Sequence, residues 1–253
     1  SLPIQVLWTT LATLILTVCG VNFMGPNTIG DFPPTAYYLI SSIASFLSIV
    51  LPFSFFLFFG KRKLSDTVLV EKNGVLNSVL LVFAGLAVSV LMNIPANLIS
   101  QLLEGAGLNG DANTADLLAL TPVQALTMFV SVVLVAPVTE EFAFRSVTTA
   151  VMRRWGDWPA VIFSALIFGM AHYSIQSLPV VLMAGFVMAL LYVRTRNIWV
   201  NIFVHMLNNL LATLPIALEG LVGADAANIA SNLLTYIVYG LGLIALVVLL
   251  IRN

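Results

Sequence analysis

An all-α, polytopic membrane bundle is the fold this sequence predicts, and three observations lead to it. Hydrophobic residues fill 60% of the 253 positions, charged residues only 8%, and the mean hydropathy is +1.05. A soluble domain carries about 25% charged residues, so a water-facing exterior cannot be assembled from this inventory and lipid must be the solvent. The apolar residues also fall into runs of roughly 20, the length that crosses a bilayer as a helix. Finally, the few charges separate by sign from one loop to the next.

Punctuating the chain at its charges and its Gly, Pro and Asn clusters gives eight spans in one domain, at approximately 3–24, 37–60, 75–103, 118–154, 158–174, 177–195, 198–220 and 228–251. The first, with no basic leader, reads as a retained span and not as a signal peptide. The fourth is too long to cross perpendicularly, which predicts a strong tilt or an amphipathic lead-in near Leu117–Ala125. The fifth and sixth are short and separated by only Tyr173–Ser177, so a tight antiparallel hairpin is expected.

Charge placement tests that count. Lys61, Arg62, Lys63 and Lys72 follow span two; Arg153 and Arg154 follow span four; Arg194 and Arg196 follow span six; Arg252 follows span eight. The intervening loops hold acids: Asp31, then Glu104, Asp111 and Asp116, then Glu219 and Asp225. The positive-inside rule puts the basic loops in the cytoplasm, and with them both termini. Trp155, Trp158 and Trp199 flank these loops as interfacial anchors. The compact loops suit a bacterial cell membrane. A net charge of −1 with no basic patch argues against a nucleic-acid partner. The lone Cys19 excludes an internal disulfide and a thiolate metal cluster.

Three charges stand outside the loops: Glu140, Glu141 and Arg145, all in span four. Glu140 lies about 20 Å along the helix from Arg153, where a charge costs at least ~2.5–3.5 kcal/mol. Glu141 and Arg145 are four residues apart with the acid first, the favourable orientation for an ion pair on one helix face. Glu140 points about 100° away and needs another partner, a water-filled cavity or a proton. Both histidines of the chain are intramembrane too. His172 falls late in span five, with Phe168 one turn earlier to pack beside its ring. His205 falls in span seven with Asn209 on the same face. Asn93 and Asn97 of span three read as interhelical hydrogen-bonding residues.

Such a set suits peptide-bond hydrolysis by either of two routes. A desolvated carboxylate is a competent general base toward water, while imidazole and carboxamide N–H groups stabilise an oxyanion. Alternatively, Glu140, His172 and His205 make up the three protein ligands of a catalytic zinc with an open position. No Ser or Cys stands as an obvious nucleophile; Ser174 is near His172 in sequence only.

Glu140-Glu141-Phe-Ala-Phe-Arg145 resembles the EExxxR signature of the CPBP family, which comprises CAAX proteases and bacteriocin-processing (Abi) proteins. Phe168-Gly-Met-Ala-His172 is similar to its FxxxH motif, and His205-Met-Leu-Asn-Asn209 to its HxxxN motif. The resemblance covers about residues 118–215. It implies an eight-helix intramembrane endopeptidase with its site in a cavity within the bilayer. Glu140 would activate water, His172 would position that water or the substrate carbonyl, and His205 with Asn209 would form the oxyanion site. Glu141 and Arg145 would be the supporting ion pair. The family pattern often has glycine after the arginine; here Ser146 keeps the position small. Zinc stays open on these residues, although Asn209 is a poor zinc ligand and tips the reading toward a metal-free mechanism. The implied partners are the bilayer itself and a membrane-embedded or lipidated, CAAX-type peptide.

Two other readings compete. Intramembrane Glu and His also mark ion-coupled transporters, but the paired broken helices and repeats of transporters are missing: Pro95 and Gly185 could kink spans three and six without occupying corresponding positions. A catalytically silent scaffold or immunity protein is the other, which the complete set of Glu140, His172, His205 and Asn209 argues against.

Overall fold

The computed structural model describes residues 34–108, 120–172, 175 and 177–252. The expected first span at 3–24, Cys19 and Ser174 lie outside the described residues. Within them the chain is all-α, with no strand beyond an isolated bridge between Val70 and Asn197. Seven apolar helices follow one another: α1 (Pro34–Phe59), α2 (Val75–Gly105), α3 (Pro122–Trp155), α4 (Asp157–Met170), α5 (Leu178–Thr195), α6 (Ile198–Val222) and α7 (Ala224–Arg252). They take the places of expected spans two to eight. Six are long and apolar enough to cross a membrane, which makes this a multi-pass integral membrane protein. The seventh, α4, has 14 residues and stops at Met170, four short of the expected end.

Three departures from regular helix geometry stand just before a proline. A proline lacks the N–H that the preceding turn needs and its ring crowds that turn's carbonyl. In α1 the turn Phe46–Val50 widens to π geometry just before Pro52, and in α3 the turn Phe129–Val135 does so just before Pro137. Helix α2 breaks at Met92, three residues before Pro95. Helix α3 begins at a capping box in which the Thr121 hydroxyl accepts from the Gln124 N–H and the Gln124 side chain accepts from the Thr121 N–H. It then runs continuously for 34 residues, so its length is absorbed by the helix itself.

The core that carries the site draws Val82 from α2, Ala143 and Phe144 from α3, Phe168 from α4, Met188 from α5, and Val200 and Val204 from α6. Helices α4 and α5 form the expected hairpin, seated closely because Gly169 meets Leu178 and Leu182 where a Cβ would stand. Gly185 does not kink α5, which runs through it unbroken. A Cβ there would lie 2.9 Å from the Phe168 ring, so this glycine is a place of close approach. At the basic end, residues 68–71 are pinned to the α5–α6 loop. The Glu71 N–H donates to Arg196 O, the Ile198 N–H to Leu69 O, and the Asn197 amide to Glu71 O. Asn93 and Asn97 make no side-chain hydrogen bond among the described residues, and Asn97 is exposed.

Candidate active site

The polar load of α3 sits on a stretch of widened helix. Residues Glu141–Thr148 form a π segment, a geometry that recurs at functional sites. Polar side chains brace its carbonyls: Thr148 and Thr149 hydroxyls donate to the carbonyls of Ala143 and Phe144, five residues back, and Ser164 of α4 also donates to Phe144 O at 2.7 Å. Ser146 is fully buried, so the position must be small.

Glu141 and Arg145 form the expected ion pair, Nε to Oε2 at 3.3 Å, with neither side chain exposed. Arg145 also reaches Gly185 O at 3.4 Å through Nη2, and its guanidinium lies 4.1 Å over the Phe168 ring. Burying such a pair is tolerable only when further hydrogen bonds and contacts surround it; the Gly185 carbonyl and the aromatic face supply part of them, while Nη1 has no hydrogen-bond partner. The other Glu141 oxygen accepts from Nδ1 of His205 at 2.9 Å. Glu141 is thus held by Arg145 on one side and holds His205 on the other.

Glu140 finds its partner in that same histidine. Its Oε2 lies 3.8 Å from His205 Nε2, and its side chain keeps 17% exposure where Glu141 has none. At 3.8 Å the two do not share a direct hydrogen bond. A carboxylate and a ring nitrogen at this spacing both face the point where one water or a carbonyl oxygen can sit.

His172 stands beyond the end of α4, in the following turn, and not on the helix as the span boundaries implied. The last carbonyls of a helix have no partner within it, and Nδ1 of His172 donates to one of them, Phe168 O, at 2.9 Å. That bond directs Nε2 away from the helix end. Phe168 is the hub of the group: its ring is 4.7 Å from that of His172, 5.8 Å from that of His205 and 5.4 Å from that of Phe144.

Asn209 has a more specific environment than its place beside His205 suggested. The Ala136 N–H bonds to Ser131 O, in π register. The next bond in that register would run to Val132 O from residue 137, which is proline. Asn209 Nδ2 fills the vacancy, donating to Val132 O at 2.9 Å. One carboxamide hydrogen therefore ties α6 to α3, and the second is left for other use.

Sequence reasoning missed Asn201. It is fully buried, one turn before His205, and its amide donates to Met188 O and to Glu141 Oε2, the latter at 3.4 Å. The signal was present: residues 201, 205 and 209 repeat a polar residue every four positions along one face of α6. It was masked by the apolar residues on either side.

A catalytic zinc needs three convergent protein ligands. Among the described residues no three His, Cys, Asp or Glu side chains gather into such a group. Glu140 approaches His205 and makes no such approach to His172. The arrangement does not fit a three-ligand zinc site, and no step is derived through a metal.

Every side chain named in this cluster falls within residues 122–211, and that stretch matches the family model described as Type II CAAX prenyl endopeptidase Rce1-like. That model describes one group within the CPBP family whose three motifs the chain resembles. A Bacillus subtilis (strain 168) protein named "Putative membrane peptidase YdiL" is 31% identical over 140 residues, 55% of this chain. The match spans 57% of that relative's length. No solved structure matches. The match to the family model takes in α3 to the middle of α6, while α1, α2 and α7 lie outside it.

Proposed function

We propose that this chain is an intramembrane endopeptidase of the CPBP family in which Glu140 is the general base toward water. The observation that carries the reading is the placement of Glu140 Oε2 opposite Nε2 of a histidine whose other nitrogen is fixed by the buried Glu141–Arg145 pair. Of two adjacent acids, one is committed to structure and the other is left facing a histidine with part of its surface open.

In this mechanism Glu140 takes a proton from water as the water oxygen bonds to the scissile carbonyl carbon. The carbonyl electron pair moves onto its oxygen, which receives hydrogen bonds from the second N–H of Asn209 and from Nε2–H of His205. Collapse of the intermediate breaks the C–N bond, and Glu140 returns the proton to the leaving nitrogen. His172, held by Phe168 O, accepts from the second hydrogen of the attacking water. Removing a positioned general base of this kind typically costs 10²–10⁴-fold in rate.

The substrate class follows from the approach. An apolar groove of about 890 Å³ runs between α1 and α3, walled by Phe46 and Leu57 on one side and by Val138, Thr139 and Phe142 on the other, with Met206 beside His205. A groove of that character suits a membrane-embedded or lipidated peptide, such as a prenylated C-terminal segment, delivered from the bilayer to Glu140.

The test is hydrolysis of prenylated CAAX peptides and bacterial membrane peptides by purified protein in lipid, comparing wild type with E140A and E140Q, each with and without chelator. Activity lost in both variants and retained with chelator is the expected result. Equal activity in wild type and variants sinks Glu140 as the base. Loss with chelator and recovery with zinc would replace this mechanism by a metal-dependent one.

A further inference from the structure

At the basic end of the bundle, beyond the residues the hydrolytic reading uses, lies a second cavity of about 470 Å³. Five cations line it: Lys61, Arg62 and Lys63 from the turn after α1, Arg153 from the end of α3, and Arg196 from the α5–α6 loop. Arg153 is paired with Asp157 at 3.1 Å and Arg196 with Glu71 at 2.6 Å. Among the described residues Lys61, Arg62 and Lys63 make no ion pair. With Asp66, the acid in the lining, also counted, the pocket keeps two net positive charges.

Backbone geometry at the pocket is as unusual as its charge. Among the described residues only two other than glycine have positive φ, Lys61 and Arg196, each at 50°. Both are in this pocket. Each follows the end of a helix, where glycine is the residue that takes this conformation without cost. Lys61 does so although Gly60, directly before it, is in ordinary helical conformation. Non-glycine residues held this way concentrate at functional sites, where the surrounding structure maintains them. The pocket is also braced: the Tyr192 hydroxyl accepts from the Leu69 N–H at 3.1 Å and donates to Thr67 O at 3.0 Å.

We propose that this pocket binds the phosphate headgroup of an anionic bilayer phospholipid. Charge complementarity gives the ligand its phosphate, and position gives it its chains. The pocket opens at the end of the bundle where Trp155, Trp158 and Trp199 are exposed, the level of the membrane interface. Phe55, Phe58 and Phe59 stand exposed one turn before Lys61, a surface for acyl chains to lie against. Thr149 and Ala150 of α3 form part of the lining, one turn past Arg145. The bound lipid would therefore brace the α1–α2 loop against the helix that carries the candidate site. The proposal does not depend on hydrolysis.

Its test uses the full chain in detergent and in nanodiscs, with retention of phosphatidylglycerol, phosphatidylcholine and inorganic phosphate read by native mass spectrometry and thermal melting. Wild type should retain and be stabilised by phosphatidylglycerol over phosphatidylcholine, and free phosphate should not reproduce the effect. Each interfacial cation is worth about fivefold in binding, so K61Q/R62Q/K63Q should weaken retention on the order of 100-fold. K72Q/R154Q/R252Q, which removes equal charge outside the pocket, should leave most of it. K61G is a milder second variant: it relieves the left-handed strain and should melt higher than wild type in phosphatidylcholine, yet gain less from phosphatidylglycerol. Equal losses in the two triple variants, or full reproduction by free phosphate, would overturn the proposal.

Discussion

Helices α3 and α7 are of comparable length, 34 and 29 residues, and are built on opposite plans. Helix α7 is unbroken, carries its charges only at its ends, and buries little more than Ala227, Ser231, Gly242 and Ala245. Small residues allow close approach, the usual way apolar helices associate in lipid; Gly242 faces Phe83 O of α2 at a distance that leaves no room for a Cβ. Helix α3 has an interior proline and two π segments, and it buries a carboxylate, a guanidinium and several hydroxyls. Their difference teaches what an intramembrane polar group demands. Each one needs partners from several other elements, and meeting those needs distorts the helix and draws it inward, whereas an apolar helix can remain straight at the lipid boundary.

Breaking the polar plan should have the largest consequence. Removing one member of a buried ion pair leaves the other charge uncompensated and costs about 3–5 kcal/mol. E141Q and R145M should each lose that much in a reversible unfolding assay in detergent. E141Q should additionally impair hydrolysis in whatever folded fraction remains, because it weakens the anchor of His205. Retained stability in both would show that the pair is not the brace of α3.

A smaller effect is expected where α5 meets the hub. G185A places a Cβ 2.9 Å from the Phe168 ring, and overpacking of this kind costs about 1–3 kcal/mol. Because Phe168 touches His172 and His205, peptide turnover should fall by more than the folded population does. G242A in α7 meets backbone at 2.6 Å and should cost a similar amount in melting measurements, with turnover per folded molecule unchanged. Equal effects on turnover would erase the distinction between the two helices.

The role of Asn209 can be separated by a double-mutant cycle. N209A leaves Val132 O unsatisfied, at about 1–3 kcal/mol. P137A restores an N–H to the register that lacks it, so the stability cost of N209A should shrink in the P137A background. The loss of turnover should persist if the second N–H serves the oxyanion. Smallest of all, I244A and L250A, on the exposed face of α7, should shift stability by no more than about 0.5 kcal/mol; larger shifts would mean that this face is packed against something other than lipid.

Reading the chain residue by residue located Glu140, Glu141, Arg145, Phe168, His172, His205 and Asn209 because a charge or imidazole inside an apolar run is conspicuous, and because four-residue spacing reports a shared helix face. The Glu141–Arg145 pair and the Phe168–His172 contact needed nothing more. The same reasoning placed His172 inside a helix that ends before it. Asn201 went unremarked, since a neutral amide in a long apolar run raises no alarm. Gly185 was read as a possible kink because a glycine's neighbours in space do not appear in its neighbours in sequence.

By itself the sequence therefore determined the lipid environment, the succession of apolar helices and the candidate site residues, since these follow from composition, run length and local periodicity. Only the tertiary structure decided which side chains meet the two adjacent acids. Glu141 is buried between Arg145 and His205 while Glu140 faces the free nitrogen of that histidine, and this depends on how α6 and α4 pack on α3. Helix packing likewise gathered the basic residues of three separate loops into one pocket. Partners distant along the chain set the burial and hydrogen bonding of each group, and no local pattern encodes which of them will meet.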